Sequence, residues 1–392
     1  MSRTPIEAIA TELDVPDSAY ETARERYEDL GEWLSEPKKA ESAQYAPRVS
    51  SQGSFQLGTA IKPLRGGEYD LDITCVLTQG ITRTSISQQT LKRMLGDDLN
   101  KYRQERQIQE KLVEKQRCWR LNYQDALAFH LDILPALPQS EAKRQELSAR
   151  MATAGISEST ATIIAENAIA ITDNQHPAYS DITQQWPTSN PKGYSLWFRS
   201  RMQLASEFLT QKALVENVAT IDELPEYRWR TPLQQAVQVL KRHRDVMFRN
   251  DPDGKPISII ITTLAARAYN GESTLQATLT TILRAMRNLI NPSTPRIPNP
   301  INPLEDFADK WHTPQGRAAN LEGNFHLWLE QASSDLIGLA EPINTNHAIE
   351  HAALKFGVTL SPESFSIAQP NSPTSTAARI TTITDAPRPW RR

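Results

Sequence analysis

Two carboxylates two residues apart on an extended chain project from the same face, roughly 6.6 Å apart along the backbone. Asp70 and Asp72 have that spacing in Glu68-Tyr69-Asp70-Leu71-Asp72-Ile73. A third aspartate, Asp132, sits in Phe129-His130-Leu131-Asp132-Ile133-Leu134-Pro135, and it joins the pair if the two segments are neighbouring strands. Three hard oxygen ligands with no matching His or Cys cluster favour Mg²⁺ over zinc, and Mg²⁺ completes its shell with water and substrate phosphates. The implied chemistry is phosphoryl or nucleotidyl transfer. Ser54, which follows Gly53, stands sixteen residues before Asp70, and exposed backbone N–H groups beside a hydroxyl suit a triphosphate. An Asp-x-Asp pair alone is equally a solvent-facing pair on an edge strand. Its combination with Gly53-Ser54 and Asp132 makes the set specific.

The elements that must position these residues are legible in outline. Leu71, Ile73, Cys75 and Leu77 alternate with Asp70, Asp72, Thr74 and Val76, which is strand periodicity. In a second strand Leu127, Phe129, Leu131 and Ile133 share one face, His130 and Asp132 the other, and Pro135 is expected to close it. Ahead of both, Ala19, Ala23, Tyr27, Leu30 and Leu34 mark one face of a helix starting near Pro16 with Asp14 as its cap. Ser50 to Thr59 reads as a glycine-bearing turn feeding an extended segment. The stretch Lys101–Arg120, with seven basic and three acidic residues, reads as a solvated helix face laced with ion pairs, phosphate or nucleic-acid contact being the alternative.

Beyond about residue 140 helical spacing takes over, around Ile156–Ile171, Ser195–Val215, Thr231–Phe248, Ser258–Tyr269, Thr274–Ile290 and Asn324–Leu339. Thr231-Pro232-Leu233-Gln234 is a capping box with proline at the first helical position. Leu233, Ala236, Val237, Leu240 and Met247 then form a buried stripe, with Lys241, Arg242 and Arg244 at its margins. Five prolines make Asn291–Pro303 an irregular connection. Ser361–Arg392, with ten Ser/Thr and five Pro, reads as a flexible tail.

Composition narrows the function further. The 392 residues carry a net charge of -3, from Lys+Arg 43 against Asp+Glu 46, so no global positive field exists to hold DNA or anionic lipid. No stable DNA binding and no membrane association are expected. The two cysteines, Cys75 and Cys118, read as buried core thiols and are too few for a disulfide scaffold or a Cys-rich zinc site. The N-terminus does not lead into an apolar signal region, and a cytoplasmic location is expected.

The run Gly53-Ser54, Glu68-Tyr69-Asp70-Leu71-Asp72-Ile73 and His130-Leu131-Asp132-Ile133-Leu134-Pro135 resembles the polymerase-beta-type nucleotidyltransferases. More narrowly it resembles the cGAS/DncV-like nucleotidyltransferases (CD-NTases) and their oligoadenylate-synthetase relatives. The resemblance extends through Asn190-Pro191-Lys192-Gly193-Tyr194, Leu240-Lys241-Arg242-His243-Arg244-Asp245 and Ile259-Ile260-Ile261-Thr262-Thr263-Leu264-Ala265, and covers about residues 15 to 340. It implies an α+β fold: a nucleotidyltransferase lobe with a mixed sheet and a long N-terminal helix over 1–190, a helical lobe over 191–355 and a flexible tail over 356–392.

It also implies roles for individual residues. Asp70, Asp72 and Asp132 would bind two Mg²⁺ ions, with Mn²⁺ as a substitute. One ion would activate an acceptor ribose hydroxyl and the other would stabilise departing pyrophosphate, Asp132 serving the activating ion. Gly53 and Ser54 would hold the donor triphosphate, with Gln52 as a further contact. Lys241 and Ser258 match the lysine and serine of the helical lobe that touch the triphosphate, although Ser258 also reads as a helix cap. His130 reads as a packed neighbour of the ligands. The zinc insertion of the animal DNA sensor is absent. The implied activity is synthesis of a cyclic di- or trinucleotide from NTPs such as ATP and GTP in bacterial anti-phage (CBASS) signalling. The enzyme is expected to be a monomer under an operon-encoded regulator or effector. Modification of RNA, a protein or a small molecule, and an inactive nucleotide-binding scaffold, stand as alternatives.

Overall fold

The computed structural model describes residues 3–64, 66–124, 128–202, 221–222, 224, 230–338 and 344–365. The chain begins with α1 (Pro5–Leu13) and α2 (Asp17–Ser35), followed by β1 (Pro47–Gln52), α3 (Gly53–Leu57) and β2 (Tyr69–Leu77). Next come α4 (Gln88–Glu105), β3 (Val113–Glu114), β4 (Trp119–Tyr123) and β5 (Phe129–Pro138). After α5 (Glu141–Thr153) and α6 (Glu158–Glu166), the short strands β6 (Ile169–Ile171) and β7 (Thr188–Ser189) lead to α7 (Pro191–Arg201). The rest is α8 (Pro232–Met247), α9 (Ser258–Ala268), α10 (Leu275–Met286), the hairpin β8 (Pro298–Asn299) and β9 (Asn302–Asp306), α11 (Pro314–Ala318), α12 (Leu321–Gly338) and α13 (Thr345–Phe356).

The sheet runs β1-β2-β5-β4-β3, with β6 paired to β5 and β7 to β6. Only β2 and β5 among the five run parallel; β1 and β4 pair antiparallel to them. The expected alternation holds: Leu71, Ile73, Cys75, Leu121, Phe129, Leu131 and Ile133 are all fully buried. They pack on the buried face of α2, comprising Ala19, Ala23, Tyr27, Leu30 and Leu34, and on α4. The opposite sheet face carries Asp70, Asp72 and Asp132 at one end and a small apolar cluster of Leu134, Ala136, Ile169 and Ile171 at the other. A second, helical core gathers α7–α10, α12 and α13 together with α1, α5 and α6, so the short α1 packs with the later helices while the long α2 lies under the sheet.

Several expectations need correction. The chain is already helical before Pro16: Thr4 and Glu7 form a capping box around Pro5 at the start of α1, and Asp14 lies at that helix's C-cap instead of starting the next. Gly53 opens a helix, α3, and not an extended segment. Lys101–Arg120 is not one helix, because α4 ends at Glu105 and the chain returns as β3 and β4. Ile156–Ile171 breaks after Glu166 and finishes as β6. Pro135 does not close β5, which runs to Pro138. Its carbonyl accepts from the Thr172 N–H, so its nitrogen faces the same side, in the gap between the β4 pairing that ends at Ile133 and the β6 pairing that begins at Ala136. Cys75 is buried, whereas Cys118 is partly exposed. The prolines of Asn291–Pro303 sit in a connection that forms only the two-stranded hairpin β8–β9.

The expected capping box at Thr231 starts α8. This helix joins the two cores through an unexpected polar face. Gln234 Nε2 donates to the Leu57 carbonyl at 2.9 Å, Gln238 Nε2 to that of Ala60 at 2.8 Å and Lys241 Nζ to that of Thr59 at 2.9 Å. Lys241, Arg242 and Arg244 are therefore buried, not marginal. Arg242 reaches the carbonyls of Phe356 and Lys62. The 203–215 part of the helix expected from Ser195, Leu339 of the helix expected over Asn324–Leu339, Leu127 and the tail beyond residue 365 lie outside the described residues. The tail's first part is packed, with Leu360 and Phe365 in the helical core. Among the described residues no helix is long and apolar enough to cross a membrane.

The α8 clamp predicts that Gln238→Ala, which leaves the buried Ala60 carbonyl without its donor, lowers stability by about 1–3 kcal/mol. Urea denaturation of the wild type and the variant measures it as a lower midpoint at unchanged slope.

Candidate active site

The site is built on one row of residues across four strands. Gln52 on β1 pairs with Asp72 on β2, Asp72 with Asp132 on β5, and Asp132 with Arg120 on β4. In-register partners share a sheet face, so the row projects from the polar side. Asp70, two residues before Asp72, joins it. Carboxylate oxygens of Asp70, Asp72 and Asp132 lie within 4.8 Å of one another, a cluster able to hold a divalent ion.

Electrostatics marks two of these groups, Asp72 and Asp70. Burial, then repulsion from Asp70 and Asp132, pushes Asp72 up to about 8. Burial and then Asp132 also raise Asp70, against the pull of Arg120. Carboxylates that resist ionisation because of each other gain most from a cation placed between them. The donor set is all oxygen and therefore fits Mg²⁺ or Mn²⁺. His130 lies opposite Asp70 on the same sheet face but is not among the clustered ligand groups; its Nε2 pairs with Glu68.

Gly53 shows why glycine precedes the serine. Its φ is +65°, and a Cβ there would lie 2.1 Å from Asp72 Oδ2. Only a residue without a side chain lets the α3 backbone come this close to the carboxylate. From here a cavity of about 700 Å³ opens between the sheet and helices α8 and α9, with Gly53, Ser54, Asp70, Asp72, Lys241 and Ser258 all in its wall. Six of the eight residues singled out in the sequence thus meet around one space. Asp132 meets the other aspartates without lining the cavity, and Gln52 shares their row but is not part of the wall.

Lys241 is buried, and desolvation, then Arg244, lower its ammonium to about 8. Ser258 occupies the first turn of α9, not its cap. Its Oγ accepts from Arg244 Nη1 at 2.8 Å, which leaves the hydroxyl proton free to be donated. Sequence reasoning missed two groups of cavity-lining or cluster cations. Arg249 and Lys255 line the cavity beside Asp245, and Lys255 pairs with Asp245 at 3.3 Å. The spacing of four from Lys241 to Asp245 to Arg249 was the available signal. Arg120 was hidden inside a charge run read as helix; it forms a two-pronged contact with Asp132 at 2.7 and 2.6 Å. The motif Asn190–Tyr194 serves the frame instead: Asn190 caps α7, and Tyr194 Oη bonds Thr263 Oγ1 at 2.8 Å on α9.

Two predictions follow from this geometry. Gly53→Ala keeps the fold but displaces Asp72 and lowers nucleotidyl transfer by about a hundredfold or more, measured as initial rate on protein whose circular dichroism matches wild type. Asp72 supplies a pH effect. Its raised value means the ion-free folded state keeps a proton that the unfolded chain releases near pH 4, so this group's stability contribution is lost as pH rises from about 4 to about 8. A bound divalent cation displaces that proton. The increase in Tm on adding Mg²⁺ is therefore larger near pH 8 than near pH 6, measured by scanning calorimetry.

Known proteins resemble this chain in sequence and in fold. Residues 47–135 match the family "Cyclic GMP-AMP synthase DncV-like, nucleotidyltransferase domain". The chain is 31% identical over 313 residues to a c-di-GMP synthase of Roseivirga ehrenbergii, covering 78% of this chain and 71% of that protein. It is 24% identical over 339 residues to the cyclic dinucleotide synthase CdnG of Bradyrhizobium diazoefficiens, covering 82% of this chain and 74% of CdnG. The structure of CdnG in complex with GTP aligns with a TM-score of 0.62 at 20% identity, over 90% of this chain and 94% of CdnG. Vibrio cholerae DncV in complex with the linear intermediate pppA(3′,5′)pG aligns with a TM-score of 0.56 at 15% identity, over 92% and 95%. The chain belongs to the CD-NTases, the cGAS/DncV-like nucleotidyltransferases that join nucleoside triphosphates into cyclic oligonucleotides.

Proposed function

We propose that this chain makes a cyclic dinucleotide, with GTP as a substrate, in the anti-phage (CBASS) signalling that its family implies. The observation that carries the reading is the in-register placement of Asp72 and Asp132, with Asp70, beside a cavity whose far wall is cationic. The c-di-GMP synthase relative and the GTP held by CdnG support the choice of guanine nucleotide. An inactive scaffold is disfavoured because all three carboxylates are present within 4.8 Å of one another and Gly53 lets the backbone approach Asp72.

The proposed roles follow from where each atom sits. Asp70, Asp72 and Asp132 hold two divalent cations, Mg²⁺ or Mn²⁺. When bound, these supply Lewis-acid stabilisation of the charge that develops on the attacking and leaving oxygens. Gly53 gives the triphosphate access to backbone beside Asp72, and Ser54 adds a hydroxyl. Across the cavity Ser258 donates its free proton to a phosphate oxygen. Lys241 holds its proton more firmly once an anion replaces water beside it, since its lowered value comes mainly from burial. Gln52, at the end of the same row, is proposed as a further contact to the donor nucleotide. Regulation by an operon-encoded partner belongs to the same proposal.

Purified chain incubated with Mg²⁺ and radiolabelled GTP, alone and mixed with the other NTPs, is expected to give a phosphatase-resistant product. Mass spectrometry after digestion with linkage-specific nucleases identifies the bases and linkage. Asp70→Asn and Asp72→Asn should each lower the rate roughly a thousandfold, about 4 kcal/mol of transition-state stabilisation. Undiminished product from both variants would sink the assignment, and label transferred to a macromolecule would replace it with a modifying enzyme.

A further inference from the structure

A guanidinium stands inside the acidic cluster. Arg120 lies opposite Asp132 in the antiparallel β4–β5 pair. Its Nε donates to Oδ1 at 2.7 Å and its Nη2 to Oδ2 at 2.6 Å, while the same Nη2 is 3.8 Å from Asp70 Oδ1. The Arg120 and Asp132 side chains are 24% and 12% exposed, so solvent screens this pair far less than a surface one. The strand that carries Arg120 is fixed at the preceding residue: Trp119 Nε1 donates to the Lys92 carbonyl at 2.8 Å, and its ring lies so close to Gly96 that a Cβ there would be 2.5 Å away. The guanidinium is thus aimed by anchored backbone.

The fork occupies both oxygens of Asp132, and an ion shared with Asp70 and Asp72 needs at least one of them. Each oxygen keeps a second lone pair, so the competition is one of charge and place: Nη2 stands between Asp132 Oδ2 and Asp70 Oδ1, in the gap that an ion shared by the two carboxylates would have to enter. We propose that Arg120 is a positioning residue for the divalent-cation site, holding the Asp132 carboxylate toward Asp70 and Asp72 in the ion-free enzyme and giving up at least one of its two contacts when an ion binds. Ion binding is then an exchange of guanidinium for metal, which weakens affinity for the ion but keeps the third ligand aimed. This rests on the reading of the three aspartates as the metal site.

The test is Mn²⁺ binding to the purified full-length chain without nucleotide, read by electron paramagnetic resonance of the free ion, for wild type, Arg120→Gln, Arg120→Lys and Asp72→Asn. Removing a unit positive charge beside the site should make Arg120→Gln bind Mn²⁺ at least about fivefold more tightly, while product formation at saturating Mn²⁺ falls about tenfold or more because Asp132 is no longer held. Arg120→Lys, which keeps the charge without the fork, should stay within about twofold of wild-type affinity and still lose rate. A glutamine variant that binds Mn²⁺ no more tightly than wild type overturns the assignment. If that variant does not fold, wild-type rate in the lysine variant overturns it instead. Asp72→Asn separates the two levels: unchanged Mn²⁺ binding there removes the metal site and this inference with it, whereas loss of the ion there with no gain in Arg120→Gln removes the Arg120 role alone.

Discussion

The parallel pairing of β2 with β5 in a register that sets Asp72 beside Asp132 is the constraint on which the rest of the site depends. It forces like charges together. At an effective dielectric of about 20, two unit charges about 5 Å apart repel by roughly 3 kcal/mol before screening, and three carboxylates compound it. The register survives because the other faces of the same strands are unbroken apolar rows, with Leu71, Ile73, Leu131 and Ile133 wholly buried. Slipping one strand by a residue would relieve the repulsion only by turning those side chains into solvent. Burying each of them is worth about 1.5–3 kcal/mol, so the apolar face wins and the carboxylates stay where the core puts them.

A second constraint connects this sheet to the helices. One helix, α8, spends its polar residues on backbone carbonyls of the segment after α3, through Gln234, Gln238 and Lys241. Those carbonyls are not engaged by these residues in a sheet ladder, so leaving them buried and unpaired would cost more than the side-chain entropy needed to reach them. The same helix carries Arg244, which orders both Asp245 and Ser258. Backbone of the segment after α3 and the donors across the cavity are thus positioned by one helix.

How much of this was legible follows from the length of each signal. β2 and the described part of β5 span nine and ten residues, long enough for period-two alternation to reveal which face carries Asp70, Asp72 and Asp132. β3 and β4 have two and five, too short for alternation to stand out within a run of charges, so Arg120 was absorbed into an imagined helix. The α1 capping box, Thr4 with Glu7 around Pro5, was present in the sequence and was passed over because the stronger apolar stripe began later. Lys241 was found by resemblance, yet its burial was not, because helical periodicity separates apolar from polar faces and does not reveal that the polar face is itself covered. Pro135 misled for a related reason: a proline breaks a ladder only on the side its nitrogen faces, and which side that is cannot be known before the neighbouring strands are placed.

Global charge and local charge play different parts here. A net charge of -3 gives no long-range attraction for a polyanion, yet the cavity is strongly polarised. Its sheet wall bears Asp70 and Asp72, and the opposite wall bears Lys241, Lys255 and Arg249 against the single carboxylate of Asp245, which pairs with Lys255. A nucleoside triphosphate cannot rest against the acidic wall by itself, and against the basic wall alone it would be bound without being activated. Bridging the two requires positive charge beside Asp70 and Asp72, whose carboxylates lie within 4.8 Å of each other and of Asp132. Opposed walls of this kind make binding depend on a cation arriving with the substrate, and they confine that requirement to a few side chains, so the remainder of the surface is free to stay near neutral.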